Sequence, residues 1–283
     1  MSGTIRAGVM GWPIAHSRSP ALHGHWLERH GIDGSYVAIP VRPEDLAAAL
    51  RELPDKEFAG VNLTVPHKEP ALDIVDTVDG VAARIGAVNT VIVRADRTLF
   101  GTNTDSYGFI ENLRGGVGRD LSAWTAHPAA VLGAGGAARA VVVALCDAGV
   151  TELRIVNRTR TNAERLAELV SSCGARAVIV DWQDRAEALR GAGILVNTTT
   201  LGMQGAPPLD LVLDALPGEA LVNDIVYAPL ETTLLATARR RGNPVVDGLG
   251  MLLYQAQAGF EAWFGVRPEV DDDLRAAVLA ADL

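Results

Sequence analysis

Along the chain, short apolar runs of strand character alternate with longer segments of helical period, the pattern of an α/β protein built on mainly parallel sheets. The alternation is clearest between residues 129 and 247. AAVL (129 to 132) leads into a helix from about Gly136 to Ala148, LRIVN into a helix over Asn162 to Val170, and AVIVD follows. ILVNT and ALVNDI read as buried strands, and Thr232 to Arg241 as a helix before PVV. The first 105 residues repeat the style with different punctuation. They run IRAGVMG, a helix opened by Ser19 as N-cap and Pro20 at N1, SYVAIPV, a helix after Pro43, VNLTV, and AVNTVIV. Ser106 to Arg119 reads as a helix and a Gly-rich loop. From Gly248 onward the sequence is helical, with an Asp-rich first turn at Asp271 to Asp273. The expected organisation is therefore two α/β domains, residues 1–105 plus 248–283 and residues 106–247, with hinge motion between them.

Composition narrows the class. With 283 residues, 48% hydrophobic content and a formal net charge of -9, the chain suits an ordered two-domain globular protein with no global attraction to nucleic acid or anionic lipid. The one basic run, Arg239 to Arg241 before Gly242, reads as a solvated helix end. No apolar stretch is long enough to span a bilayer and the N-terminal residues lack a signal-like apolar core, which points to the cytoplasm and to no membrane partner. Cys146 and Cys173 form no CxxC pair and read as free buried thiols. His23 and His25, two apart on a helix, cannot easily share an ion, so no metal site is expected.

Chemistry enters first at VLGAGGAARA. A strand turns through Gly133, Ala134, Gly135 and Gly136 and opens a helix at Ala137. Gly133 and Gly135 with Ala138 make G-x-G-x-x-A, a turn that lets a pyrophosphate approach the backbone and face a helix N-terminus. The next strand ends in Asn157, Arg158 and Thr159, without the carboxylate that would hold the ribose hydroxyl of NAD; an arginine beside a hydroxyl suits a 2′-phosphate. NADP is therefore favoured. A plain helix-capping turn at Asn157 to Thr159 is compatible with that reading.

A second group of polar residues lies at the ends of strand-like segments. In VNLTV, Asn62 and Thr64 share one face while Val61, Leu63 and Val65 share the other. Lys68 follows directly. Of the 25 Lys and Arg residues only Lys56 and Lys68 are lysine, and a lysine, unlike an arginine, can pass on a proton. Placed after a parallel strand, Lys68 is a candidate acid; chance placement is the plain alternative. GTNTD puts Asn103, Thr104 and Asp105 at another strand end, where Asp105 either caps the following helix or partners Lys68. N-capping suffices for Ser19 but leaves Ser17 unexplained, and two hydroxyls at a helix N-terminus also suit a carboxylate. Gln255 and Gln257 lie on opposite sides of an otherwise apolar helix, so at most one enters a cleft.

Nine stretches in order carry a family resemblance: GWPIAHSRSPALH, VNLTVPHK, IGAVNT, GTNTD, LGAGGAARA, VNRT, NTTTLGM, DIVYAPLETTLL and GLGMLLYQA. Together they resemble shikimate dehydrogenases over almost the whole length. The resemblance implies NADP-dependent, reversible reduction of 3-dehydroshikimate to shikimate, a step toward the aromatic amino acids, by a monomer or homodimer. It implies Lys68 and Asp105 as the catalytic pair, Ser17 and Ser19 on the substrate carboxylate, and Thr64, Asn89 and Gln255 on ring hydroxyls, with Tyr227 lining the pocket. It places the pyrophosphate on the turn from Gly133 to Ala137, the 2′-phosphate on Asn157 to Thr159, and Gly248 against the cofactor. Asn162 stands where the family often has a basic residue, so the 2′-phosphate is expected to lean on Arg158, with Arg160 as a further donor. A quinate-active or NAD-using relative, and a non-catalytic NADP-binding sensor, are the alternatives.

Overall fold

A computed structural model of the chain describes residues 4–281, which fall into two compact units. One comprises the described residues up to Thr104 together with those from Leu252 onward; the other runs Asp105–Met251.

The first unit begins with β1 (Ile5–Gly11), α1 (Ser19–Arg29) and β2 (Gly34–Pro40), then a 3-10 turn at Pro43–Asp45 running into α2 (Leu46–Arg51). β3 (Phe58–Leu63), β4 (Thr77–Val78), α3 (Gly80–Ile85), β5 (Thr90–Val93) and β6 (Leu99–Thr102) follow. The six strands form one sheet in the order β2-β1-β3-β5-β6-β4. It is mixed, because β5 runs antiparallel to both β3 and β6. The cause is local. Asp96 accepts from the Thr98 amide and hydroxyl, and Arg97 takes φ 68, closing a tight hairpin between β5 and β6 where a parallel continuation would need a crossover.

Alternation along β3 sorts its side chains. Val61 and Leu63 join Met10, Leu46, Leu50 and Val91 in a buried apolar cluster, while Asn62 points to the other face. That other face is aromatic. The His23 ring stacks on Tyr36 with centroids 3.8 Å apart, and Trp26, Phe260 and Trp263 close around them. The Trp263 indole N–H reaches the Val91 carbonyl across the sheet at 3.2 Å.

The second unit carries α4 (Asp105–Val117), the short α5 (Ser122–Thr125), β7 (Ala129–Leu132), α6 (Gly136–Asp147), β8 (Glu152–Asn157), α7 (Arg160–Ser172) and β9 (Arg176–Asp181). It continues with β10 (Ile194–Asn197), β11 (Leu221–Asp224), α8 (Thr233–Arg241) and β12 (Val245–Val246). α9 (Leu249–Phe264) starts here and continues in the first unit, where α10 (Asp272–Ala280) packs on α1. All six strands of this sheet are parallel, in the order β12-β11-β10-β7-β8-β9. This is the doubly wound order, with its switch point between β7 and β10. The strands read as continuous apolar runs because helices cover both faces; every residue of β7, β10 and β11 is buried.

Helix ends follow the sequence signals. Thr232 caps α8 by accepting from the Leu235 amide, Gly242 ends it in the left-handed region, and Asp271 caps α10 at the Leu274 amide. α1 departs from expectation. Ser19 is its first residue and Arg18, already helical at φ -84 and ψ -4, stands at the N-cap; the hydroxyl that accepts an orphan amide is Ser17, from Ser19 N–H at 3.3 Å. The chain enters the helix one residue early because the Ser17 amide bonds back to the Ile14 carbonyl and turns the backbone there. Cys146 and Cys173 form no disulfide, and they are half-buried rather than buried, since each lies near the exposed end of its helix. Among the described residues no helix is long and apolar enough to cross a membrane.

Candidate functional site

In the first unit the polar residues singled out in the sequence converge on one buried network. Asn89, fully shielded just before β5, is its centre. Its amide donates to the Thr104 hydroxyl at 2.9 Å and to Gln255 Oε1 at 3.3 Å, while its carbonyl oxygen accepts from the Thr104 amide at 2.9 Å and the Thr90 hydroxyl at 2.9 Å. Thr90 in turn accepts from the Asn62 amide at 3.0 Å, and Asn62 accepts from the Tyr36 hydroxyl at 2.6 Å. The Tyr36 hydroxyl also meets Ser19, and burial raises its pKa well above the ordinary phenol value. A single chain of hydrogen bonds thus runs from Ser19 at the start of α1 to Gln255 in α9. Buried polar groups are tolerable only when partnered, and a fully partnered network fixes one arrangement of its members.

Thr64 and Lys68 occupy the turn that leaves β3. The Thr64 amide bonds to the Met10 carbonyl at 3.0 Å, and the Lys68 carbonyl accepts from the Val88 amide at 2.7 Å, so the turn is pinned at both ends. Between them stands His67, fully buried, with Nε2 2.8 Å from the Val41 carbonyl; burial lowers its pKa, so the neutral ring donates that bond. The sequence carried little to single out His67 or Tyr36. Both are ordinary residues by composition, and only the fold shows what each holds in place. Asn103 donates to the Ala87 carbonyl at 2.8 Å and secures the segment whose next residues are Thr104 and Asp105. Asp105 is the buried first residue of α4. Gln257, as its spacing required, points away from Gln255 and donates to the Pro268 carbonyl at 2.8 Å.

In the second unit the Gly-rich turn leaves β7 at the switch point. Gly133 sits at φ +106, and a Cβ there would meet the Thr198 hydroxyl at 2.5 Å, so only glycine fits. Thr198 donates that hydroxyl to the Leu132 carbonyl at 2.7 Å and binds the loop after β10 to the turn. Gly135 is the N-cap of α6, with no side chain capping the helix and nothing within 4 Å of its Cβ direction. Open space over a helix N-terminus with free donors fits a pyrophosphate. At the end of β8 the Asn157 amide folds back on the Thr159 carbonyl at 2.8 Å, so this side chain shapes the turn. Arg158 and the Thr159 hydroxyl are exposed and have no partner among the described residues, which fits a 2′-phosphate. Arg160 is already paired. It faces Glu164 at 3.1 Å and Asp181 at 3.2 Å.

Around the ends of β10 and β11 a second polar node forms. Asp224 is buried and accepts from Asn197 at 2.9 Å, Thr232 at 2.7 Å and the Val226 amide at 3.1 Å, yet burial still pushes its pKa up to about 6. This node holds the loop carrying Tyr227, which is half-buried. Gly248 packs so closely on that loop that a Cβ would lie 2.2 Å from the Ile225 carbonyl oxygen.

Comparison with known proteins gives the geometry a context. Three family models match: the shikimate dehydrogenase substrate binding domain over residues 9–91, shikimate / quinate 5-dehydrogenase over 118–202, and the shikimate 5'-dehydrogenase C-terminal domain over 248–278. The shikimate dehydrogenase (NADP(+)) of Paramagnetospirillum magneticum is 61% identical over 281 residues, covering 99% of this chain and 100% of the relative. Among solved structures, shikimate 5-dehydrogenase from Thermus thermophilus, in complex with NADP(H) and shikimate, is 41% identical with a TM-score of 0.84, covering 97% of this chain and 98% of its own. Quinate dehydrogenase from Corynebacterium glutamicum, in complex with NAD, is 31% identical with a TM-score of 0.90, covering 99% and 100%.

Proposed function

The chain belongs to the shikimate dehydrogenase family, and from that membership we infer which of its residues carry the reaction. It is an NADP-dependent oxidoreductase that reversibly reduces 3-dehydroshikimate to shikimate. The cofactor, when bound, supplies the hydride. Lys68 holds the ketone oxygen and gives it a proton as negative charge develops there. An acid step of this kind contributes roughly 100- to 10,000-fold. Asp105 orients the Lys68 ammonium and accepts from a ring hydroxyl. Ser17 and Ser19 hold the carboxylate, Thr64, Asn89 and Gln255 hold ring hydroxyls, and Tyr227 is a further substrate-binding residue. The turn from Gly133 to Ala137 takes the pyrophosphate, Arg158 and Thr159 take the 2′-phosphate on the turn that Asn157 shapes, and Gly248 lies against the cofactor.

The observation that carries this reading is the buried network through Asn89, Thr104 and Gln255. It brings residues far apart in sequence to one place and leads directly in the chain to Asp105. The deciding experiment is a two-by-two assay of the purified protein, shikimate or quinate against NADP or NAD, followed by nicotinamide absorbance. Strong turnover only with shikimate and NADP is expected. Equal or better turnover with quinate or NAD would replace the assignment with a broader dehydrogenase, and cofactor binding without turnover in any arm would leave a sensor.

A further inference from the structure

The turn proposed for the 2′-phosphate contains a charge arrangement that weakens it. β8 and β9 are parallel neighbours in register, with Asn157 opposite Asp181, so the Asp181 carboxylate stands one strand away from the turn of Asn157 to Thr159. Arg160, the first residue of α7, points Nη1 to Asp181 Oδ1 at 3.2 Å and Nε to Glu164 Oε1 at 3.1 Å. Two carboxylates therefore share one guanidinium, and Arg158 is left as the cation of the turn with no partner among the described residues.

We propose that Asp181 is a specificity-determining residue for the cofactor: it competes with the 2′-phosphate for Arg160 and holds down the preference for NADP over NAD. The inference rests on the reading that Arg158 and Thr159 receive the 2′-phosphate. The competition is a balanced one. The Arg160 and Asp181 side chains are 64% and 55% exposed, and an ion pair that open to water is worth little, so a phosphate dianion can draw the guanidinium away. Drawing Arg160 to the phosphate means giving up its attraction to Asp181, and that cost falls only on the phosphorylated cofactor. The unphosphorylated ribose carries no charge there and is indifferent to Asp181. In this account Asn162, in place of a basic residue, is only part of what makes the pocket weakly cationic; the acid on β9 is the other part.

Titration calorimetry with 2′,5′-ADP and with ADP reads the effect without turnover. Asp181→Asn is expected to tighten 2′,5′-ADP about 3- to 10-fold, leave ADP within about twofold, and lose most of its gain in high salt. The gain should disappear in the double variant Asp181→Asn with Arg160→Ala. Unchanged 2′,5′-ADP affinity in Asp181→Asn, or a gain that survives removal of Arg160, overturns the proposal. Arg158→Ala separates this from its premise. If that variant binds 2′,5′-ADP as well as the wild type does, the phosphate site itself is misplaced; if it loses affinity while Asp181→Asn changes nothing, only the role of Asp181 fails.

Discussion

His23 shows at the scale of one residue how burial turns into pH dependence. Its ring is fully buried among Tyr36, Trp26, Phe260 and Trp263, with neither nitrogen hydrogen-bonded, and burial lowers its pKa from 6.5 to about 3. Above pH 6.5 folded and unfolded states are both neutral at this residue. Below it the unfolded chain takes up a proton that the folded one refuses, so stability falls by about 1.4 kcal/mol per pH unit between 6.5 and about 3. His23→Phe keeps the stack and removes the unpartnered nitrogens. Its urea midpoint should stay near the wild-type value at pH 7.5 and fall less steeply on acidification to pH 4. A slope equal to wild type would mean that His23 is already protonated in the fold. At the same scale, rarity and position marked Lys68 as a candidate, and spacing showed that Gln255 and Gln257 face opposite sides, but it was the family resemblance that chose Gln255 between them. Tyr36 and His67 were not marked, because a tyrosine in a strand and a histidine in a turn carry no signal until their partners Asn62 and Val41 are known.

Elements were read well where periodicity is long and poorly where a turn decides. α6, α7 and α9 fell close to the expected spans because each shows several turns of one pattern. The antiparallel β5 was missed, since its direction depends on the Asp96 hairpin rather than on any apolar run. So was the entry to α1, where backbone conformation at Arg18 displaced the expected N-cap at Ser19. Two expectations belong to elements. Gly248→Ala would put a methyl 2.2 Å from the Ile225 carbonyl oxygen, a backbone atom that cannot turn aside, and should destabilise the link between β11 and α9 by more than about 2 kcal/mol. A melting temperature within a degree or two of wild type would show that the loop after β11 yields. Asp224, with its pKa raised to about 6, acts oppositely to His23. The folded state holds this proton more tightly, so its contribution is full below about pH 3.8 and is lost as pH rises through about 6. Asp224→Asn should remove that dependence, and an unchanged pH profile would contradict the raised pKa.

Across the whole molecule, the two units carry these opposing slopes separately: His23 in the unit with the first sheet, Asp224 in the doubly wound one. Between pH 6 and pH 4 the first should lose stability while the second gains it. The parallel α/β alternation of residues 129 to 247 and the Gly133 turn were readable from pattern and spacing, and the cofactor class from the residues ending β8, because nucleotide binding imposes a rigid backbone geometry; the strand order was not. The committed Arg160 was not readable, because its partner Asp181 lies a strand away and only the register of β8 with β9 brings them together.

Whether Lys68 gives its proton to the ketone is decided by steady-state turnover of Lys68→Ala, measured together with the dissociation constant for shikimate. In that variant kcat should fall by about 100- to 10,000-fold while shikimate binding changes by no more than about threefold. Lys68→Arg should fail in the same way, since a guanidinium does not give up its proton. Turnover near wild type in Lys68→Ala, or a loss confined to substrate affinity, would contradict proton donation by Lys68.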